Sequence, residues 1–188
     1  EKNSGAVSAF RHENGQLNFI NQQVTQGADP CHIAISPNGN YLLISNYSGG
    51  SLVSIQIQED GSLGELLSKV QHVGEGFQHP RQSAPHVHSS IIAFSGKYSY
   101  TADLGLDQLV RYEVNEEGLI DQAEPSVLPI TDGAGPRHFC ISGDYVYLFN
   151  ELNSTICSFR LDEEGGLRLV ATCSSLPEDF TGESDGAH

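Results

Sequence analysis

Along the chain, β-branched and aromatic residues come in short runs that are cut off by Gly, Asn, Asp and Ser. Residues 33–35, 41–44 and 52–57 are such runs, bounded by Pro37-Asn38-Gly39, Tyr47-Ser48-Gly49-Gly50 and Glu59-Asp60-Gly61. Apolar positions alternate with polar ones at Val53, Ile55 and Ile57, and again at Val110, Tyr112 and Val114. Period-two patterning punctuated by turn residues predicts short antiparallel strands. No stretch has the 3.6-residue period of an amphipathic helix.

The runs repeat. Segments beginning at Gly27, Ser83 and Gly133 carry the same features in the same order. Gly39, Gly96 and Gly143 are each followed seven residues later by Asn46, Asp103 and Asn150. The turn glycines Gly61, Gly118 and Gly165 are 57 and then 47 residues apart, as are Gly39, Gly96 and Gly143. His88, His138 and His188 are spaced by 50 and 50. Four short strands per unit of about 50 residues, repeated, predict an all-β chain of β-propeller blades. A β-sandwich is the alternative, but it gives no reason for such a period. The expected division is an outer hairpin at 1–26, blades at 27–82, 83–132 and 133–182, and the start of another at 183–188. That is about three and a half four-stranded blades, as expected of a fragment whose missing blades would be its partners.

Composition narrows the function. The 188 residues include 24 acidic and 9 basic ones, a formal net charge of −15, which argues against nucleic acid and against an anionic membrane surface. No apolar run approaches the roughly 20 residues of a membrane helix. The given residues do not open on a basic, apolar and small-residue leader pattern, and a start at Glu1 rather than Met is expected of a sequence that begins inside a longer protein. Cys31, Cys140, Cys157 and Cys173 lack metal or redox spacing and read as reduced core thiols, which points to the cytoplasm. Cys31 beside His32 reads as a small buried residue rather than a nucleophile.

Blade connectivity places the loops that lead into each first strand on the same face as the loops between second and third strands. The turns on the opposite face, such as Glu59-Asp60-Gly61, are ordinary solvated hairpin chemistry. On the richer face lie Pro30-Cys31-His32, Pro85-His86-Val87-His88 and Pro136-Arg137-His138, with Asn46-Tyr47, Asp103-Leu104 and Asn150-Glu151. Imidazole, guanidinium and carboxylate groups gathered at one mouth suit acid–base and oxyanion chemistry. His32, His88 and His138 read as equivalent positions, so they can equally serve as bonds between blades. Residues that break the repeat are stronger candidates. Arg137 aligns with Cys31 and Val87, Glu151 aligns with Tyr47 and Leu104, and His86 lacks a counterpart in the third repeat. A buried Arg and Glu are costly unless paired or useful. His86 and His88, two apart, would share a strand face, but no third ligand is evident, so neither a metal nor a cofactor is expected.

The segments ADPCHIAISPNGNYLLISNYSGGS, RQSAPHVHSSI, TADLGLDQLVRY and GAGPRHFCIS, followed by NELNSTI, resemble the seven-bladed propeller lactonases over essentially the whole chain. That family includes propeller-type 6-phosphogluconolactonases and carboxymuconate lactonising enzymes. The resemblance implies seven blades and a site built from a His of the Pro-His-x-His loop (His86 or His88), the Arg of Gly-Pro-Arg-His (Arg137) and the Glu of Asn-Glu-Leu (Glu151). It also implies an Arg in a later Ser-Asn-Arg motif, beyond residue 188. The expected catalytic set is therefore His88, Arg137 and Glu151, with His32, Asn46, Arg81, His86, Asp103 and His138 binding a small anionic lactone. Hydrolysis of 6-phosphogluconolactone is the leading expectation. Cycloisomerisation of a muconate, or ligand binding without catalysis, are the alternatives.

Overall fold

The computed structural model describes residues 4–77, 80–123 and 125–182; within them no helix forms, and fourteen strands make four separate antiparallel sheets. β1 (Ala6–Glu13) and β2 (Gln16–Val24) form a hairpin. β3 (Pro30–Ile35), β4 (Tyr41–Asn46), β5 (Ser51–Ile57) and β6 (Leu63–Gln71) make the first four-stranded sheet. The second comprises β7 (Val87–Ile92), β8 (Tyr98–Asp103), β9 (Gln108–Glu113) and β10 (Ser126–Pro129). The third comprises β11 (Pro136–Ser142), β12 (Tyr145–Asn150), β13 (Thr155–Leu161) and β14 (Leu167–Ser174). Each strand pairs only with its neighbours in sequence, and the first strands of successive sheets lie side by side, β3 against β7 and β7 against β11. This is the radial arrangement of propeller blades. The landmark His188 and residues 183–188 lie outside the described residues.

Turn chemistry accounts for the hairpins. Asn14 and Gly15, both at positive φ (52° and 79°), form the two-residue connection of β1 to β2, as the right-handed strand twist prefers. The other landmark turn glycines, Gly39, Gly96, Gly143, Gly61, Gly118 and Gly165, all have φ between 55° and 93°, a region that L side chains avoid.

The core lies between sheets. β4 is buried along its whole length because its sheet is covered on both faces. Leu42 and Ile44 join Val7, Val53, Ile55 and Leu63 against the β1–β2 hairpin. Tyr41, Leu43 and Leu52 meet Ile92, Val110 and Tyr112 of the second sheet. Tyr98, Tyr100, Ala102 and Leu109 meet Phe139, Val146, Leu148 and Phe159 of the third. A fully buried Leu or Ile stabilises such a seam by about 1.5–3 kcal/mol. The seam between first and second sheets also holds hydroxyls, which bond one another: Ser45 Oγ to Ser90 Oγ at 2.8 Å, and Ser90 Oγ to Thr101 Oγ1 at 3.3 Å.

The cysteines are not all core residues: Cys157 is buried, whereas Cys31, Cys140 and Cys173 lie on exposed strand positions, so their distribution gives no argument for a reducing compartment. The Cys31 thiol donates to the His88 carbonyl at 3.1 Å, and desolvation at that contact pushes its pKa up to about 11. It stays a thiol, which removes it as a nucleophile.

One irregularity recurs in all three four-stranded sheets. The ladder slips by a residue between Pro30 and His32, between Val87 and Ser89, and between Pro136 and His138. Pro30, Val87 and Pro136 pair with Asn46, Asp103 and Asn150, so the extra residues are Cys31, His88 and Arg137. His88 is therefore equivalent to Cys31 and Arg137, not to His32 and His138, whose counterpart is Ser89. The expected alignment of Arg137 with Val87 is corrected in the same way. A bulge re-aims the side chain that it carries.

Candidate active site

The residue after each second strand begins a tight turn. The N–H groups of Tyr47, Leu104 and Glu151 donate to the carbonyls of Asp29, His86 and Gly135, at 2.8 to 2.9 Å. These bonds tie the loops into and out of each blade together at one end of the axis. They also bear out the expected equivalence of Tyr47, Leu104 and Glu151.

Glu151 is the centre of the charged cluster, with its side chain only 3% exposed. One carboxylate oxygen pairs with the Arg81 guanidinium and the other lies 3.4 Å from Arg137 Nη1. Arg137 stands on the β11 bulge, where Ser89 Oγ donates to its carbonyl at 2.6 Å. Arg81 comes from the connection between β6 and β7, and its Nη2 donates to the Tyr47 hydroxyl at 3.0 Å. Arg137 and Glu151 thus meet at the same end of the axis, with two guanidinium groups around one carboxylate.

Aromatic rings close the other side. His86 stacks on Tyr47 with centroids 4.5 Å apart and planes 13° apart, while His88 meets the same ring edge-on at 5.4 Å. His88 contacts His138 at 5.0 Å, and His138 contacts His32 at 5.8 Å. A carbonyl only accepts, so the 3.2 Å contact of His86 Nδ1 with the Tyr47 carbonyl requires a proton on Nδ1. Burial, then the Arg137 charge, lowers the His88 pKa to about 4. Burial also lowers those of His32 and His138. His32 has a second role, accepting the Ser90 N–H at 3.4 Å between blades.

Asn46 and Asp103 are placed behind this surface rather than on it, each with no exposed area. Asn46 Nδ2 donates to Ser51 Oγ at 3.1 Å across its own turn. Asp103 Oδ1 accepts N–H bonds from His86, Gly105 and Leu106 at 2.8, 3.0 and 3.1 Å. Its Oδ2 lies 2.6 Å from His72 Nδ1, and His72 Nε2 lies 2.9 Å from the Tyr112 hydroxyl. Since a carboxylate accepts, His72 donates through Nδ1, while its Nε2 shares a hydrogen bond with the Tyr112 hydroxyl. Asp103 therefore fixes the His86 backbone. Asp103→Asn keeps an acceptor for the three N–H groups but sets an amide against His72; it is expected to lower unfolding free energy by about 1–2 kcal/mol in urea titrations.

Tyr47, His72 and Tyr112 were not among the expected site residues. Tyr47 was detectable, since it breaks the repeat where Glu151 does. His72 and Tyr112 carried no such signal. As for metals, His86 and His88 both engage Tyr47, and no group of three His, Cys, Asp or Glu side chains among the described residues can hold an ion.

The family model of the seven-bladed β-propeller lactonases matches the chain over residues 1–188. The chain belongs to that family. A 6-phosphogluconolactonase of Bacillus subtilis is 32% identical over 188 residues, covering 97% of this chain and 53% of the relative. One of Formosa agariphila is 30% identical, covering 89% and 49%. The periplasmic gluconolactonase of Pseudomonas aeruginosa superposes with a TM-score of 0.88 at 31% identity, over 96% of this chain and 52% of its own. The chain spans about half the length of the curated relatives it matches. No helix among the described residues is long and apolar enough to cross a membrane.

Proposed function

We propose that this lactonase-family chain contributes the catalytic mouth of an enzyme that hydrolyses a sugar-acid lactone, with 6-phosphogluconolactone as its substrate and 6-phosphogluconate as product. The observation that carries this reading is the cluster in which Glu151 holds Arg81 and Arg137 beside the imidazoles of His86 and His88, the second of which burial and the Arg137 charge keep neutral. Water attacks the ring carbonyl carbon and a proton passes to His88. Negative charge then develops on the carbonyl oxygen against the Arg137 guanidinium. Collapse breaks the ring C–O bond, and the His88 imidazolium returns its proton to the leaving alkoxide. Glu151, committed to two guanidiniums, orients them rather than taking the proton.

The low basicity of His88 is tied to the same geometry. The Arg137 charge is the second cause of its lowered pKa, after burial. An oxyanion forming on Arg137 cancels part of that charge and raises the basicity of His88 as the proton moves. In the free enzyme His88 is neutral above a pH of about 4 and protonated below it. The acid limb of kcat/KM should therefore fall through about pH 4, tenfold per unit below it. Lactone hydrolysis followed at constant ionic strength tests both parts. A limb near pH 6.5 would exclude His88 as the base, and absence of turnover with a carboxymuconate cyclised instead would exclude hydrolysis.

A further inference from the structure

Two arginines surround Glu151, yet their settings differ, and the difference points to a division of labour. Arg137 belongs to the ladder of β11, with its backbone carbonyl bonded by Ser89 and its side chain 18% exposed. Arg81 sits on the long connection between β6 and β7, with its side chain 41% exposed at the rim. Arg81 is nonetheless held: Glu151 takes Nη1 and the Tyr47 phenol takes Nη2. Tyr47 in turn stacks on His86 and meets His88 edge-on. A single ring thus touches a rim cation and both imidazoles of the second blade.

We infer that Arg81 is a specificity-determining residue that reads an anionic substituent of the substrate remote from the lactone carbonyl, a phosphate or carboxylate, and that Tyr47 is its positioning residue. This rests on the lactonase reading above. Three physical points support it. A rim guanidinium reaches a group distant from the buried oxyanion position, which Arg137 serves. Guanidinium presents paired N–H donors that match the oxygen spacing of phosphate or carboxylate. With a net charge of −15 the chain repels anions at long range, so capture of an anionic substrate requires local cations at the mouth. Tyr47 is suited to fix Arg81 because its hydroxyl accepts from Nη2 while its ring is stacked on His86.

The test compares 6-phosphogluconolactone with unphosphorylated glucono-δ-lactone in the intact protein and in three variants. Arg81→Gln should lower the ratio of kcat/KM for the phosphorylated over the neutral lactone at least tenfold, mainly through KM. Arg81→Lys should restore part of that ratio. Tyr47→Phe, which keeps the rings and removes only the hydroxyl, should lower the ratio severalfold, again through KM. Raising salt should narrow the differences, since the contact is at the rim. An unchanged ratio in Arg81→Gln overturns the assignment, as does an equal fall in kcat for both substrates, which would place Arg81 at the reacting centre. Inorganic phosphate titrated by calorimetry separates this idea from the lactonase reading. If the intact protein hydrolyses neither lactone, that reading fails, while phosphate binding at least tenfold weaker in Arg81→Gln still supports the anion site. Equal phosphate binding by the two proteins overturns it.

Discussion

Replacing Arg137 with Ala should lower kcat/KM for lactone hydrolysis by about 10²–10³, the loss typical of removing one oxyanion-stabilising group. The guanidinium is held beside Glu151 on a strand bulge, and in the proposed reaction it is the group that meets charge developing on the carbonyl oxygen. The loss should fall on kcat as well as on kcat/KM, because the interaction strengthens only as charge develops. Arg137→Lys should recover little, since an ammonium cannot keep both Glu151 and an oxyanion in planar paired geometry. The fold should survive: Glu151 keeps its pair with Arg81, and Ser89 bonds the residue 137 carbonyl whatever side chain stands there. Steady-state kinetics alongside urea unfolding of the same preparation would separate the two effects. Turnover within a factor of three of the parent would remove Arg137 from the reaction.

Glu151→Gln should damage stability and activity together. The buried carboxylate is the common partner of both guanidiniums, and an amide offers one acceptor and sets N–H donors against the second cation. Breaking a buried ion pair from one side costs about 3–5 kcal/mol. The lower end of that range is expected, because the Arg81 side chain is 41% exposed and can turn to water. Arg137 would lose the contact that aims it, and a displacement of about 1 Å in such a group is enough for a loss of about 10² in rate. The distinguishing result is a double variant. Arg137→Ala combined with Glu151→Gln should lose little more activity than Arg137→Ala alone, because the two residues act as one unit. Fully additive losses would show that Glu151 acts on the substrate independently.

The expected site was legible to different depths at different positions. Glu151 and Arg137 stood out because they break a repeat, and the structure brings them together. Asn46 and Asp103 recur at the ends of second strands and were expected at the mouth, but they face the seam between blades. The residue one position later, Tyr47 or Glu151, has left the strand for the tight turn, and its side chain joins the charged and aromatic cluster. His88 shows a different limit. Its place in the entry loop reads as the equivalent of His32 and His138, whereas the ladder assigns it to the bulge with Cys31 and Arg137. An extra residue in one strand leaves the same letters in the same order, and only the pairing reveals it.

What the amino-acid order determined by itself is the blade: strand lengths, turn glycines and a period of about 50 residues are local properties, written by alternation and by backbone conformations that only certain residues tolerate. Tertiary structure decided which side chains meet. Arg81 and Glu151 are 70 residues apart, Tyr47 and Arg81 are 34 apart, and His72 reaches Asp103 across 31. Contacts of that kind depend on the angle between successive sheets and on a one-residue slip in the ladder, neither of which has a local signature in the chain.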